Sequence, residues 1–477
     1  MSTEPDTSAL DTPVSEAATG AVDPRRVAQF REQRFGLFVH WGLYSLPARH
    51  EWVKNRERLT DAAYQPYFDH FDPDLYDPRV WAAEAAAAGM RYAVLTTKHH
   101  EGFALWDSAL TDYRATNTPA GRDLVGPFVE AFRERGLGVG FYHSLIDWHH
   151  PDFPVDGVHP QRDLSDAEVG ALNEGRDVGR YADYLHGQVE ELLTRYGAVD
   201  TVWFDFSYED GVHQFTRRWP GKGAAAWRSR ELLALVRRLQ PGVLVNDRLA
   251  IPGDFTTPEQ YQPYGPMSLD GRPVLWEACQ TINGSWGYDR DNLDAKPVDL
   301  LVRMLVDTVS KDGNLLLNVG PNARGELDPQ ALESLRGIGE WMRLHGRSIH
   351  GAGPSAFTAP TDVRYTQRGN RLYVHCFAWP FGHLHLPGLA GKVAYAQLLN
   401  DGSEIAREEL GSGPGQNTRP GGVPPGTLSL LLPVRAPRVA VPVIELFLHD
   451  GAAPGSAEHT GPAPTDPSPE SRGTPRA

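Results

Sequence analysis

The run VDTVWFDF at 199–206 sets one carboxylate, Asp205, inside an otherwise apolar segment. Burying an ionised carboxyl is costly unless the charge is paired or hydrogen-bonded. Asp205 therefore either caps or bridges, with the Arg248 of NDR as a partner, or it is held ionised as a nucleophile or base. Trp203, two residues back, shares the same face of an extended chain and offers a wall for a sugar ring. A second carboxyl group opposite Asp205 would complete the acid and nucleophile pair that cleaves glycosidic bonds. Three acids can supply it: Glu51 in RHEWVKN and Glu259 in DFTTPEQ, both read as loop residues, and Glu277 in VLWEACQ. A loop acid is usually solvated surface, and that is the alternative reading of Glu259 taken alone.

Other polar groups recur at matching places. Apolar runs end in His40 and Trp41, in Lys98, His99 and His100, in Tyr142 and His143, and in Asn246, Asp247 and Arg248. One such residue is packing; a set at the end of every run is not. Neutral imidazoles both donate and accept hydrogen bonds, which suits a polyhydroxylated ligand. Adjacent histidines on a strand would point to opposite faces, so a shared metal ion is not expected and no cofactor is implied.

The elements that must carry these residues follow from periodicity. Runs at 35–42, 92–99, 137–144, 199–206, 242–248 and 314–320 are apolar on successive positions, as in strands of a parallel sheet covered on both faces, and 274–280 is a weaker seventh. Amphipathic helical segments separate them and end near glycines. Such alternation is built as a doubly wound sheet or a (β/α) barrel. Neither GxGxxG after the first strand nor GxxxxGK[ST] is present, so the α/β class expected is a TIM-like (β/α) barrel, whose strand ends converge on one pocket. From about residue 355, short β-like pieces between Gly/Pro clusters indicate a C-terminal all-β sandwich. The limits expected are a disordered segment 1–22, the barrel 23–350, the sandwich 351–450 and a disordered tail 451–477. Within the sandwich, Trp379 is a candidate exposed aromatic, with packing as its alternative role.

With 46 Lys and Arg against 61 Asp and Glu, the net charge of −15 argues against nucleic acid as partner. No apolar stretch approaches the ~20 residues of a membrane span, and the polar N-terminus does not read as a secretory signal. Two cysteines, Cys279 and Cys376, make no disulfide framework. A cytoplasmic location is the resulting expectation, and an oligomer is compatible with the sequence.

The motifs FGLFVHWGLYSLPA, KHHEGFALWDS, GFYHSLIDWHHP, VWFDF, NDR, GDFTTPE, WEACQTINGSWGY and LLVDTVSKDGNLLLNVGP resemble, in order, those of the α-L-fucosidases of glycoside hydrolase family 29. The resemblance implies a barrel, no metal, and retaining hydrolysis of terminal α-L-fucosyl residues from oligosaccharides or glycoconjugates through a covalent intermediate. It places Asp205 on the nucleophile. His40, Glu51, Trp52, His99, His100, Tyr142, Trp203, Arg248 and Trp286 fall on sugar-binding positions. Glu259 is the choice for acid/base, with Glu51 second. Two departures stand out: Phe206 follows Asp205 where the family motif has Gly, and residues 213–229 read as an insertion. A related retaining exo-glycosidase of other sugar specificity, or a sugar-binding homologue without catalysis, are the alternatives.

Overall fold

Seven parallel strands carry the first two-thirds of the computed structural model, which describes residues 22–213, 217–411, 413–415 and 421–452. They are β1 (Phe35–Val39), β2 (Tyr92–Lys98), β3 (Gly138–Ser144), β4 (Thr201–Asp205), β5 (Leu244–Val245), β6 (Glu277–Thr281) and β7 (Asn314–Val319). Their order in the sheet is β6-β7-β1-β2-β3-β4-β5. The gap between the two edges is filled by residues 255–259, which lack a regular ladder. Parallel bridges tie Asn246 to Phe255 on one side, and Thr256 to Trp276 and Glu259 to Cys279 on the other. The sheet thus curls into a TIM-like barrel with one irregular stave, as expected from the apolar runs. The fifth strand is shorter than expected, because a tight 3-10 turn at Asp247–Leu249 replaces its end.

Alternation along each strand divides the core in two. Phe35, Leu37 and Val39 of β1 face the surrounding helices. Phe38 faces inward with Tyr92, Val94, Tyr142, Trp203, Cys279 and Leu316. Gly36 also faces inward, where a Cβ would come within 2.4 Å of the Tyr92 ring. The helices bury one stripe against the sheet, as in Val125–Glu134, whose Val125, Phe128, Val129 and Phe132 follow helical spacing. The first helix, Pro24–Gln33, is capped by Asp23 with proline at its start. It closes the N-terminal end of the barrel, with the Phe30 ring 5.3 Å from those of Tyr92 and Phe255.

After the helix Pro329–His345 the chain becomes antiparallel. A four-stranded sheet (Val363–Arg368, Arg371–Cys376, Val443–Leu448, Val393–Leu398) faces a three-stranded one (His383–Leu386, Leu428–Leu431, Ala406–Glu408). Leu372, Val374, Leu386, Leu430, Ile444 and Leu446 belong to the core shared by the two sheets. The other side of the larger sheet is continuous with the barrel: Tyr373 and Val443 join the barrel's helix-side core. There the Trp341 indole donates to the Val441 carbonyl at 2.8 Å and Arg364 to Asp307 at 2.7 Å. Trp379 packs against the sandwich core and donates to the Pro433 carbonyl at 3.0 Å, which is its packing role. Cys279 and Cys376 are free and buried. Residues 1–21 and 453–477, most of the expected end segments, lie outside the described residues. No helix among the described residues is long and apolar enough to cross a membrane.

Candidate active site

A cavity of about 100 Å³ opens at the C-terminal ends of the strands. Every predicted site residue but Glu51 lines it, with Phe38, Phe206 and Cys279 added. His40, His99, His100, Tyr142 and Trp203 are buried in its depth, whereas Trp52, Asp205, Phe206, Arg248, Glu259 and Trp286 reach solvent at its mouth. A larger cleft of about 850 Å³, between the helix Pro329–His345 and residues 438–440, brings together Glu340, Arg343 and Arg438 but no pair of carboxylates.

Asp205 ends β4 with its side chain 14 % exposed. Its Oδ2 accepts from the Tyr142 hydroxyl and its Oδ1 from Arg248 Nη1, both at 2.9 Å. The His100 ring nitrogen Nε2 lies 3.9 Å from Oδ2. Arg248 is itself held, donating from Nε to Thr257 Oγ1 at 2.9 Å and from Nη2 to the Thr257 carbonyl at 3.1 Å. The same Nη2 donates to Glu259 Oε2 at 2.9 Å. Although burial opposes its charge, Asp205 and Glu259 raise the Arg248 pKa above the ordinary guanidinium value. The bridging reading of Asp205 is therefore met, by a guanidinium that spans two carboxylates.

The histidines form an imidazole-rich wall. The His99 and His100 ring centroids are 4.0 Å apart, and His40 is 5.5 Å from His99. The expectation that His99 and His100 face opposite ways fails because β2 ends at Lys98. A turn closed by Gly102 N–H on the His99 carbonyl follows, and strand alternation no longer applies. Burial, and then the neighbouring imidazoles, push His40 and His100 well below the usual imidazole pKa, so both are neutral near pH 7. His40 Nδ1 lies 2.6 Å from Asn318 Oδ1, and His100 Nδ1 2.7 Å from Ser144 Oγ, which fixes both rings. Among the described residues no three His, Cys, Asp or Glu side chains are grouped to hold a metal ion.

A carboxylate pair at a barrel mouth, set against neutral imidazoles and aromatic faces, is an arrangement for glycoside chemistry. The family model described as alpha-L-fucosidase matches residues 6–347. The chain belongs to the α-L-fucosidase family, glycoside hydrolase family 29. It is 32 % identical to the tissue α-L-fucosidase of Rattus norvegicus over 386 residues, 74 % of this chain and 76 % of that one. Among solved structures it is similar to α-L-fucosidase isoenzyme 1 from Paenibacillus thiaminolyticus (46 % identity, TM-score 0.81, 91 % of this chain and 100 % of that one). It is also similar to a family 29 α-L-fucosidase from Bacteroides thetaiotaomicron trapped as a covalent intermediate with 2-fluoro-fucosyl fluoride (28 %, TM-score 0.74, 90 % and 97 %). This fucosidase is accordingly a glycoside hydrolase.

Not every polar strand end serves the fucosidase pocket. Glu51, expected to bind sugar, stands behind the wall: its Oε2 accepts from the Gly287 and Trp286 N–H groups at 2.8 and 3.2 Å, so it holds the Trp286 segment. Its Oε1 lies 3.0 Å from His50 Nδ1, and burial raises its pKa. Trp41 turns outward to Tyr76 and Trp81. Lys98 is buried against Asp147 at 3.4 Å, and His143 faces Trp106. Asn246 splices β4, accepting from Phe204 N–H and donating to its carbonyl, both at 2.9 Å.

Three features of the site were not foreseen. Phe206 adopts φ +80°, a conformation glycine takes freely, and its ring packs 5.2 Å from Trp52 and 5.0 Å from His100. The insertion, apart from residues 214–216 outside the described set, clamps the segment after Asp205. Trp227 donates to Ser207 Oγ at 3.0 Å, Ser207 donates to the Arg248 carbonyl at 2.7 Å, and Lys222 and Tyr208 exchange backbone hydrogen bonds. Glu277 lies inside the barrel, not on its surface. Only the unusual Phe206 and the extra length signalled the first two.

Proposed function

We propose that this fucosidase removes terminal α-L-fucosyl groups from fucosylated oligosaccharides or glycoconjugates by double displacement, with Asp205 as nucleophile and Glu259 as acid/base. The observation that carries the assignment is the sharing of Arg248 by these two carboxylates at the pocket mouth. Asp205 attacks the anomeric carbon while protonated Glu259 donates its proton to the leaving oxygen. The resulting glycosyl ester is then opened by water, which Glu259, now a base, deprotonates. Tyr142 and Arg248 hold Asp205 ionised before attack, and they receive the carboxylate again when the ester breaks. Glu259 suits its part better than Glu51: its side chain is 41 % exposed at the mouth, where a leaving group departs, whereas Glu51 is buried behind Trp286. Neutral His40 and His100, with His99 beside them, bond ring hydroxyls, in contacts that tighten as the oxocarbenium character grows. Phe38 and Trp286, 5.9 Å apart, give an apolar face to the C5 methyl group.

The test is release of nitrophenol from 4-nitrophenyl α-L-fucoside by wild type and Asp205→Ala, with azide added to the variant. Loss of turnover by orders of magnitude, and rescue that yields β-L-fucosyl azide, are expected. An Asp205→Ala enzyme with wild-type rates would remove Asp205 from the role. Aryl glycosides differing only at C5 and C6 test the sugar: a D-galactose derivative turned over as fast as the fucoside would refute the methyl-binding wall.

A further inference from the structure

One carboxyl group that takes no part in this chemistry lies beneath the site. Glu277 opens β6 and is 1 % exposed, in the inward-facing core of the barrel. Its Oε1 accepts the indole N–H of Trp203 at 3.0 Å, and its Oε2 accepts the Tyr92 hydroxyl. Tyr92 has nowhere else to go, since its ring fills the space left by the missing side chain of Gly36. Burial pushes the Glu277 carboxyl up to about 7 against the pull of both donors. A buried acid of this kind is a poor stabiliser, because an apolar residue of similar volume usually packs there at no loss of stability.

What Glu277 fixes is the plane of Trp203. One indole face carries the Arg248 guanidinium, 4.8 Å from the ring centroid. The same indole stacks with Tyr142 at 5.9 Å and 20°. Those two residues are the donors to Asp205, and Arg248 also holds Glu259. A strand residue can tilt its indole about the second side-chain torsion, which is broad and not held to staggered values. The hydrogen bond from Nε1 to Glu277 removes that freedom. We infer that Glu277 is a positioning residue for hydrolysis: by accepting the Trp203 indole N–H it sets the platform on which Arg248 and Tyr142 present Asp205 and Glu259. The inference rests on Asp205 and Glu259 being the reacting pair, and it extends that reading to a residue that touches no substrate.

Reach and charge can be separated at this site. Glu277→Gln keeps the reach and an acceptor oxygen for the indole, and its amide can donate to the Tyr92 oxygen. Glu277→Asp keeps the charge but withdraws the acceptor by one methylene. Both variants are measured for kcat, KM and thermal midpoint, on wild type and on Trp203→Phe, with 4-nitrophenyl α-L-fucoside. Glu277→Gln is expected to hold kcat within about threefold, and Glu277→Asp to lower it about tenfold or more, the scale of a small misplacement of reacting groups. On Trp203→Phe, which has no N–H to hold, Glu277→Asp should change kcat less than about twofold. Three results would overturn the inference: Gln losing as much kcat as Asp, Asp lowering the thermal midpoint while kcat is kept, or Asp costing the same factor in both backgrounds. A wild type that releases no nitrophenol would sink the underlying assignment of substrate and reacting pair. These contrasts between variants of an active enzyme sink the positioning role alone.

Discussion

Glu259 meets Arg248 at Nη2, 2.9 Å away, while Asp205 takes the neighbouring Nη1 of the same guanidinium. Two carboxylates that must act in turn are thus spaced by the width of one planar group, and the group is pinned by Thr257 and by the Trp203 face. Lysine offers neither the fork nor the stacking plane. Arg248→Lys is expected to lower kcat by about ten- to a hundredfold, the equivalent of the roughly 1.5–3 kcal/mol of a charged hydrogen bond. Steady-state kinetics on the aryl fucoside check this, and a variant within threefold of wild type would exclude Arg248 as the spacer.

Glu259→Gln leaves an oxygen to accept from Arg248 but no proton to give. Turnover of a fucosylated oligosaccharide, whose leaving group needs that proton, should fall by about 10²–10⁴, and the nitrophenyl substrate should suffer less in its first step. Azide should restore turnover of the nitrophenyl substrate and yield the α-L-fucosyl azide, because the ester on Asp205 still forms. A β-azide would mean that Glu259 is the nucleophile instead.

Phe206 tests strain against packing. At φ +80° a Cβ is unfavourable, yet the ring is half-buried between Trp52 and His100. Phe206→Ala loses the ring and keeps the strain; Phe206→Gly loses the ring and relieves it, by about 1 kcal/mol. The thermal midpoint of the Gly variant should therefore lie above that of the Ala variant, the reverse of the order in ordinary backbone. Equal midpoints, or Ala above Gly, would show that no strain is stored there.

Acid sensitivity follows from the buried imidazoles. His40, His100 and His143 lie well below the usual pKa through burial, and His375 is lowered to about 3 by the same cause. Below about pH 6.5 the unfolded chain binds protons at these sites that the folded chain does not. Their contribution is therefore complete above that pH and is lost as pH falls, by up to about 1.4 kcal/mol per unit for each group. Glu277, with its pKa raised to about 7, works the other way: its contribution is complete below about pH 4.5 and is lost as pH rises through 7. Glu51, also raised by burial, works in the same sense as Glu277, but two carboxyls cannot offset four histidines. Calorimetry should show the thermal midpoint dropping between pH 6.5 and 5; a flat or rising midpoint would contradict the neutral state of these rings.

The sequence made the barrel legible because its strands are apolar on both faces, and the polar residues at their ends then marked the pocket. It failed where local pattern and final geometry part. Residues 255–259 read as a loop, since Gly253, Asp254 and Pro258 break any strand pattern, yet they complete the ring of strands and deliver Glu259. Strand alternation predicts opposite faces for His99 and His100, but the strand stops at Lys98, just before them. Trp41, Lys98 and His143 carry the same chemistry as their pocket neighbours but point to the helix side, a choice that depends on where each strand stops. Glu277 lies in the weakest of the strand signals; its partners, Tyr92 and Trp203, lie 185 and 74 positions away, beyond any local signal.

The Trp341–Val441 hydrogen bond and the shared packing of Tyr373 and Val443 have a bearing on how such enzymes can be rearranged. A β unit hung on a linker can be traded between proteins like a bead on a string. This one cannot, because the last barrel helix keeps an oily flank that only its own sandwich covers. Any replacement would have to bring a matching apolar underside and a backbone carbonyl at the height of Val441, so the two parts must be inherited together.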